Sequence, residues 1–443
     1  MTGNAPPSDR LLSALADFLT HFRRPARLLV AVSGGSDSTG LLVGLNDVLA
    51  RAGRRDISLA ACTVDHSLRA GSAAEADLVA ALCHRLRIPH RTLRWEGPRP
   101  ASGLQEAARE ARYDLLAAAA RVEAADAILV AHTADDQRET IAMRSVRRAA
   151  GAGLSGIAPA TLFDSRHWIL RPLLAVDRAA IRRYLAQQGV GWIDDPSNEN
   201  PRFERVRMRQ SGGGLPPVRT SDQAWRQDLA RRAAGFIADH VRMPAPDVGA
   251  IDRQGLAVLG SDPAHWRALL YLVAVLGGRR HPPGAEAAAR LSAFLGRGIL
   301  SRTTAGRVVF DRRRDGLYLY REARGLPADL VPPKGRLVWD GRYTIVNDLA
   351  VVLTVRAGNP GMAGDGNAVP DGVLKRAVRA LPEIEGTEDL AGGAISRIRA
   401  LAPFDRFLPV FDLEMANALA TLVGRERFPP PPTNDDAGPG VVL

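Results

Sequence analysis

The sequence predicts an α/β fold: a Rossmann-like parallel sheet with helices on both faces, followed by a mainly helical domain and a small C-terminal region. Three observations predict it. From Leu28 to Gln188, short apolar runs alternate with segments of helical spacing. The first apolar run ends in a glycine turn, Ser33-Gly34-Gly35-Ser36-Asp37-Ser38, that opens directly into a helix pattern. Beyond a Gly- and Pro-rich stretch, Ser211 to Pro217, the alternation gives way to helical patterns and then to β-like runs.

Taken in order, Leu11, Leu12, Leu15, Phe18 and Leu19 predict an amphipathic helix over 11–22. Leu28 to Val32 is the first strand, and Leu41, Leu42, Leu45, Val48 and Leu49 mark the helix behind the glycine turn. A second strand, Ile57 to Val64, ends in Asp65-His66. Ser72 and Glu75 form a capping box for a helix to Leu86. His90 to Trp95 is a third strand, Leu104 to Val122 an Ala-rich helix, and Ala127 to Ala131 a fourth strand running into His132. A helix follows the acids Asp135 and Asp136, a fifth strand lies near Trp168 to Leu170, and a further helix runs from Asp177 to Gln188. Strands joined by helices are parallel, and such sheets bind ligands beyond the carboxyl ends of their strands. The glycine turn, Asp65-His66 and His132 to Asp136 all fall there, so three polar clusters converge on one crevice.

Helical patterns then cover 221–242, 263–276 and 284–295, and a hairpin pairs Arg307 to Phe310 with Gly316 to Tyr320 through Arg313-Arg314-Asp315-Gly316. Further on, Leu337 to Trp339 and Val351 to Val355 have β character, and a disordered tail is expected from Pro429. The expected domains are a catalytic domain over 1–215, a mainly helical substrate-binding domain over 216–328, and a region over 329–443 whose fold is left open.

With 443 residues the chain has room for two or three domains with cores of their own. No run of eighteen apolar residues occurs and Met1 to Arg10 has no signal-peptide pattern, so a cytoplasmic protein without a membrane span is expected. Cys62 and Cys83 are too few for a disulfide framework or a zinc site. The net charge of +11 favours an anionic partner, nucleic acid above all. Only Lys334 and Lys375 are lysines among 59 basic residues. Arginine suits bidentate phosphate contacts, although a compositional bias towards Arg and Ala accounts for much of the count. No lysine precedes Lys334 to serve as a phosphate ligand or Schiff base.

The turn Ser33–Ser38 is an anion site by construction: free amides and the positive end of a helix point at one spot, and Gly34 and Gly35 admit a phosphate close to the backbone. Gly35 and Gly40 have Walker A spacing, but Leu41 and Leu42 stand where Lys and Ser/Thr belong. Asp37 would repel a phosphate unless a divalent cation lies between them, or unless it merely caps the helix. Asp136 and Glu139 share a helix face. Asp37 and Asp136 are hard oxygen ligands suited to Mg2+ bridging phosphates, while Glu139 has the alternative of holding a cationic substrate. His132 belongs to the crevice or is simply a buried, hydrogen-bonded histidine. Arg112 sits on the Ala-rich helix, where a solvated charged face is the ordinary reading. Arg202, Arg205, Arg207 and Arg209 surround Phe203, a pattern that reads either as an exposed face or as a phosphate and stacking surface for RNA.

Together these residues resemble the tRNA(Ile)-lysidine synthetase family of the PP-loop (N-type ATP pyrophosphatase) superfamily, over about 25–210. The resemblance rests on Ser33–Ser38, Val64 to Arg69, Glu106 to Tyr113, Ala131 to Thr140, Gly151 to Ile157, Arg171 to Leu174 and Asp194 to Arg209. The layout of 220–325 is similar to the family's substrate-binding domain. Departures are Thr133, where the family has a second His, Val206, where it has Asn, and the Gly-rich stretch past Arg209. The resemblance implies a ligase using ATP and Mg2+. It would adenylate the C2 oxygen of the wobble cytidine of a tRNA(Ile) with a CAU anticodon, release pyrophosphate, then let free L-lysine displace AMP to give lysidine. It also implies that Ser33, Gly34, Gly35, Ser36, Asp37 and Ser38 bind ATP with His66 and His132 on the adenine side. Asp37, Arg112, Asp136 and Glu139 would be catalytic, Asp37 and Asp136 the metal ligands, and Arg202, Arg205, Arg207 and Arg209 the tRNA contacts. The oligomeric state is left open, a homodimer included. Two rivals remain: a PP-loop enzyme that thiolates tRNA, which the scarcity of cysteine disfavours, and a non-catalytic ATP- or RNA-binding protein, which the retained acids disfavour.

Overall fold

The computed structural model describes residues 9–22, 25–66, 71–97, 100, 102–146, 155–194, 220–358, 369–385 and 394–433. The chain forms two compact units, Met1–Arg226 with Pro430–Leu443, and Gln227–Pro429.

The first unit begins with α1 (Asp9–Thr20), β1 (Ala26–Ala31), α2 (Ser36–Ala52), β2 (Ile57–Asp65), α3 (Ser72–Leu86) and β3 (His90–Arg94). It continues with α4 (Leu104–Val122), β4 (Ala127–Leu129), α5 (Ala134–Val146), β5 (Ala160–Phe163), β6 (His167–Leu170) and α6 (Arg178–Gln187). Strands β1, β2, β3, β4 and β6 are parallel neighbours in the order β3-β2-β1-β4-β6, with β5 antiparallel on β6. Helices α2 and α3 connect β1 to β2 and β2 to β3, and α4 leads back from β3 to β4 on the other side of β1 in the strand order. The central strands are buried on both faces, which is why Leu28-Leu29-Val30 and Ile128-Leu129 read as unbroken apolar runs.

Two details differ from expectation. Ser72 is not a helix cap: Gly71, at φ +99°, is the N-cap, no side chain caps the start, and Ser72 is the first helical residue. The hairpin β5–β6 adds an antiparallel strand. Its turn is formed by Asp164 and Ser165 at φ +52° and +55°, a left-handed pair without the glycine that usually announces such a turn.

Glycine packing closes the layer of α1, α2 and α6. A Cβ on Gly40 would lie 2.2 Å from Ile181 Cγ2, and one on Gly44 would lie 2.6 Å from Leu15 Cδ1. The Walker-like spacing of Gly35 and Gly40 thus has a packing cause at its second member.

The boundary between the units falls within α7 (Thr220–His240). The second unit carries β7 (Val241–Ala245), β8 (Val248–Asp252), α8 (Arg253–Val258), α9 (Pro263–Leu276), α10 (Ala285–Gly296), β9 (Arg302–Ala305), β10 (Val308–Arg312) and β11 (Gly316–Arg321). The expected hairpin is present as β10–β11, and with β7, β8 and β9 it makes an antiparallel sheet ordered β7-β8-β11-β10-β9. Val248, Tyr318 and Tyr320 of that sheet pack against Val369, Val373 and Ala377, the last two on α11 (Asp371–Ala377).

Beyond it lie β12 (Asp329–Val331), β13 (Gly335–Trp339), β14 (Tyr343–Asn347), β15 (Leu353–Ala357), β16 (Pro382–Glu385) and β17 (Ile395–Arg399). They form two three-stranded sheets, β12-β15-β16 and β13-β14-β17, around Val331, Trp339, Ile345, Leu353, Val355 and Ile384. Buried charges are paired here: Asp340 accepts from Arg307, from Arg321 Nε at 3.0 Å and from Arg342 Nε at 2.6 Å, while Asp247 accepts from Arg342, Arg399 and the Tyr343 hydroxyl. The helix α12 (Leu413–Leu422) completes the unit. The expected tail beyond residue 433 lies outside the described residues.

Candidate active site

The sheet reverses its strand order between β1 and β4, and the crevice that such a reversal opens lies beyond their carboxyl ends. From β1 the chain enters the glycine turn. Ser33 N–H donates to Ser38 Oγ at 3.1 Å, the two hydroxyls lie 3.1 Å apart, and Ser38 Oγ donates to Gly35 O at 3.2 Å, so the serines brace the loop internally. Gly34 requires glycine: its φ is +85°, and a Cβ there would lie 2.5 Å from Ile193 Cδ1. The Ile193 amide donates to Gly34 O at 2.9 Å, tying the 191–194 segment to the turn. Gly35 is different. Its φ of −67° suits any residue, and a Cβ would come no closer than 3.6 Å to Ser33 Oγ. Gly35 is also the N-cap of α2, and no side-chain hydrogen bond caps that helix start. The loop therefore presents the first turn of α2 as a bare anion cradle, with the missing Cβ of Gly35 leaving it open.

From β4 the chain reaches Thr133, fully buried, which starts α5. Asp136 Oδ2 accepts from Thr133 N–H at 2.8 Å and from Thr133 Oγ at 3.0 Å, a reciprocal cap that fixes the carboxylate. The place where the family has a second His is filled here by a helix cap. Asp136 Oδ1 points at Arg178, 3.6 Å from its guanidinium, and Arg178 Nε donates to Asp37 Oδ2 at 2.8 Å. The carboxylates of Asp37 and Asp136 thus reach one and the same cation. Burial raises the Asp37 carboxyl above its usual value against the pull of Arg178, and the charge of Asp136 adds to the rise. Glu139, 1 % exposed, lies one turn further along α5 and adds to the field that raises Arg178. Asp135 works elsewhere: Oδ2 accepts the Arg178 backbone amide at 2.8 Å, capping α6, and Oδ1 pairs with Arg138 at 2.9 Å.

His66 ends the β2 side of the crevice, edge-on to Trp95 with ring centroids 6.1 Å apart. Burial holds its imidazole below the usual range, and the charge of Arg112 on α4 adds to the effect. Arg112 thus belongs to the β2 side of the site. Tyr113, beside it, is buried, and its phenol bonds with the enclosed Arg171. Arg171 also donates to Ala158 O and Thr161 Oγ, both at 2.9 Å, and so secures the β5–β6 hairpin. His132, half-buried, precedes the Thr133 cap.

The structure therefore brings Ser33 to Ser38, Asp37, Asp136 and Glu139 together, with His66 and Arg112 at the end of β2. Arg202, Arg205, Arg207 and Arg209 lie outside the described residues. Arg178 and Arg182 escaped the sequence reading. Arg182 Nε donates to Ser36 Oγ at 3.3 Å and its fork to Asp194 at 2.9 Å. A signal existed: two arginines in the first turns of a helix oppose its dipole and call for a nearby anion. Asp37 and Asp136 present the hard oxygens that Mg2+ takes, and a buried carboxyl beside a second acid is relieved by a cation, so the residues present fit that metal. Cys62 and Cys83 are buried on different elements, with thiols pushed up by burial to about 12 and about 11, which suits neither to carry sulfur.

Comparison with known protein families matches the PP-loop domain over residues 8–212. A tRNA(Ile)-lysidine synthase of Rhizobium meliloti (strain 1021) is 46 % identical over 96 % of this chain and 98 % of its own length. Enzymes of the same name from Mesorhizobium japonicum and Brucella canis are 40 % and 34 % identical, each over 91 % of this chain and over 94 % and 95 % of their own lengths.

Proposed function

The chain belongs to the tRNA(Ile)-lysidine synthase family, and from that premise we propose how its site joins free L-lysine to C2 of the wobble cytidine of a CAU-anticodon tRNA(Ile) in the cytoplasm at the expense of ATP. The observation that carries the reading is the convergence of a bare helix start, Gly35 to Ser38, with two carboxylates that share one cation. The reaction has two steps. The C2 oxygen of cytidine attacks the α-phosphorus of ATP, and pyrophosphate leaves. The ε-amine of lysine then attacks C2, and AMP leaves with the oxygen.

Each step needs charge held at a fixed place. The leaving pyrophosphate gathers negative charge, and the amides at the start of α2 meet it without reorganisation. Asp37 and Asp136 would hold Mg2+, which supplies charge neutralisation at the phosphates. Arg112 offers a second positive group from the β2 side, and His66, whose imidazole is held below its usual range, suits an adenine edge together with His132. Glu139 or Asp136 gives the lysine ammonium an acidic group to orient against. Arg202, Arg205, Arg207 and Arg209 supply tRNA phosphate contacts in this reading.

The experiment is pyrophosphate release with ATP and tRNA transcripts. Release is expected only with the CAU-anticodon tRNA(Ile) present, and Asp37→Ala is expected to abolish it. Unchanged release by that variant would sink the metal assignment.

A further inference from the structure

One cation already stands inside the acid cluster. Arg178 is the first residue of α6, and its backbone is fixed by Asp135 Oδ2 at 2.8 Å. Its guanidinium reaches Asp37 Oδ2 at 2.8 Å and Asp136 Oδ1 at 3.6 Å. The other oxygens of these carboxylates are engaged, Asp37 Oδ1 by Ser36 Oγ at 3.2 Å and Asp136 Oδ2 by Thr133. The oxygens turned to Arg178 are therefore the ones a metal would need.

We propose that Arg178 is a positioning residue that competes with the divalent cation for Asp37 and Asp136, so that metal enters this site with the nucleotide phosphates rather than ahead of them. The inference rests on the assignment of Asp37 and Asp136 as metal ligands. Its logic is competition for the same oxygens. Asp37, Asp136 and Glu139 face Arg178, and these four groups sum to two negative charges, but the guanidinium already stands on the oxygens a metal would take. A bare divalent cation must displace the guanidinium or share its carboxylates, with like charges a few ångströms apart. Nucleotide phosphates remove that conflict, because the displaced guanidinium gains an anionic partner of matching fork geometry. Its backbone stays held by Asp135, so the side chain moves while α6 does not. Arg182, one turn on, already donates to Ser36 Oγ of the anion turn and is a second guanidinium beside it.

The test is Mn2+ binding to the full chain by electron paramagnetic resonance, with and without a non-hydrolysable ATP analogue, for the wild type, Arg178→Gln and Arg178→Lys. The wild type is expected to bind Mn2+ weakly alone and more tightly with the analogue. Arg178→Gln is expected to bind Mn2+ alone about tenfold more tightly, and its gain from the analogue to shrink in proportion. Arg178→Lys, whose shorter cation cannot span both acids, is expected to fall between the two and decides the matter if the glutamine variant does not fold. Metal-alone affinity equal to wild type in a folded variant overturns the proposal. Absence of Mn2+ binding by the wild type even with the analogue overturns the metal assignment itself, and the proposal with it.

Discussion

Gly34 and Gly35 are neighbours with opposite reasons to be glycine, and alanine at each separates fold from function. At Gly34 the backbone has φ +85°, and a left-handed conformation costs an L-residue about 1–2 kcal/mol. The added methyl would also lie 2.5 Å from Ile193 Cδ1 and 3.3 Å from Val79 Cγ2, an overpacking of roughly 1–3 kcal/mol. Gly34→Ala is therefore expected to lose about 2–5 kcal/mol, a drop of about 4–20 °C in the melting midpoint for a unit of this size. At Gly35 the φ of −67° is unstrained and the nearest atom to the new methyl is 3.6 Å away, so stability should change by no more than about 0.5 kcal/mol. The methyl instead fills the cradle over the start of α2. Loss of a charge-assisted hydrogen bond there is worth roughly 1.5–3 kcal/mol, about ten- to a hundredfold in ATP affinity. Thermal melting without nucleotide and ATP titration calorimetry read the two effects separately. If Gly35→Ala melts as low as Gly34→Ala, or folds and binds ATP like the wild type, the reasoning about the cradle is wrong.

Two further outcomes follow from the acid cluster. The Asp37 carboxyl is raised above its usual 3.8 by burial, so its ionisation costs stability that is present in full below that value and lost as pH rises through the raised one. The stability of Asp37→Asn relative to wild type should accordingly improve as pH climbs above 3.8, measured by urea denaturation at each pH; a flat or opposite trend contradicts the burial argument. Thr133→Val removes the hydroxyl that caps α5 and steadies Asp136, and should cost about 1 kcal/mol, whereas Thr133→Ser retains it. Equal denaturation midpoints for the two variants would refute that role.

What was legible in the sequence follows physical range. The glycine turn, the parallel strands and the acids of α5 are local patterns, and the strand-order reversal brings them together by topology. The β5–β6 hairpin left no mark because Asp164 and Ser165, not Asn-Gly, take the left-handed turn. The hairpin of β7 and β8 hid for a similar reason: Pro244 interrupts the β pattern, and Asp247 adopts φ +57° at its turn. Arg178 was illegible because its partners are distant, Asp37 standing 141 positions earlier in the chain. Only its unfavourable place at a helix start pointed to it. Ser72 was misread because a glycine in left-handed conformation began the helix one residue before it. Thr133, which looked like a loss against the family pattern, proved to hold Asp136 in place.

The most direct test of the central claim is transfer of radiolabelled L-lysine to tRNA. With ATP, Mg2+ and a tRNA(Ile) transcript carrying a CAU anticodon, the account predicts label in the RNA at the wobble cytidine, pyrophosphate and AMP in equal amounts, and neither label nor products with Asp37→Ala. Label absent from the RNA although the protein binds ATP would contradict it.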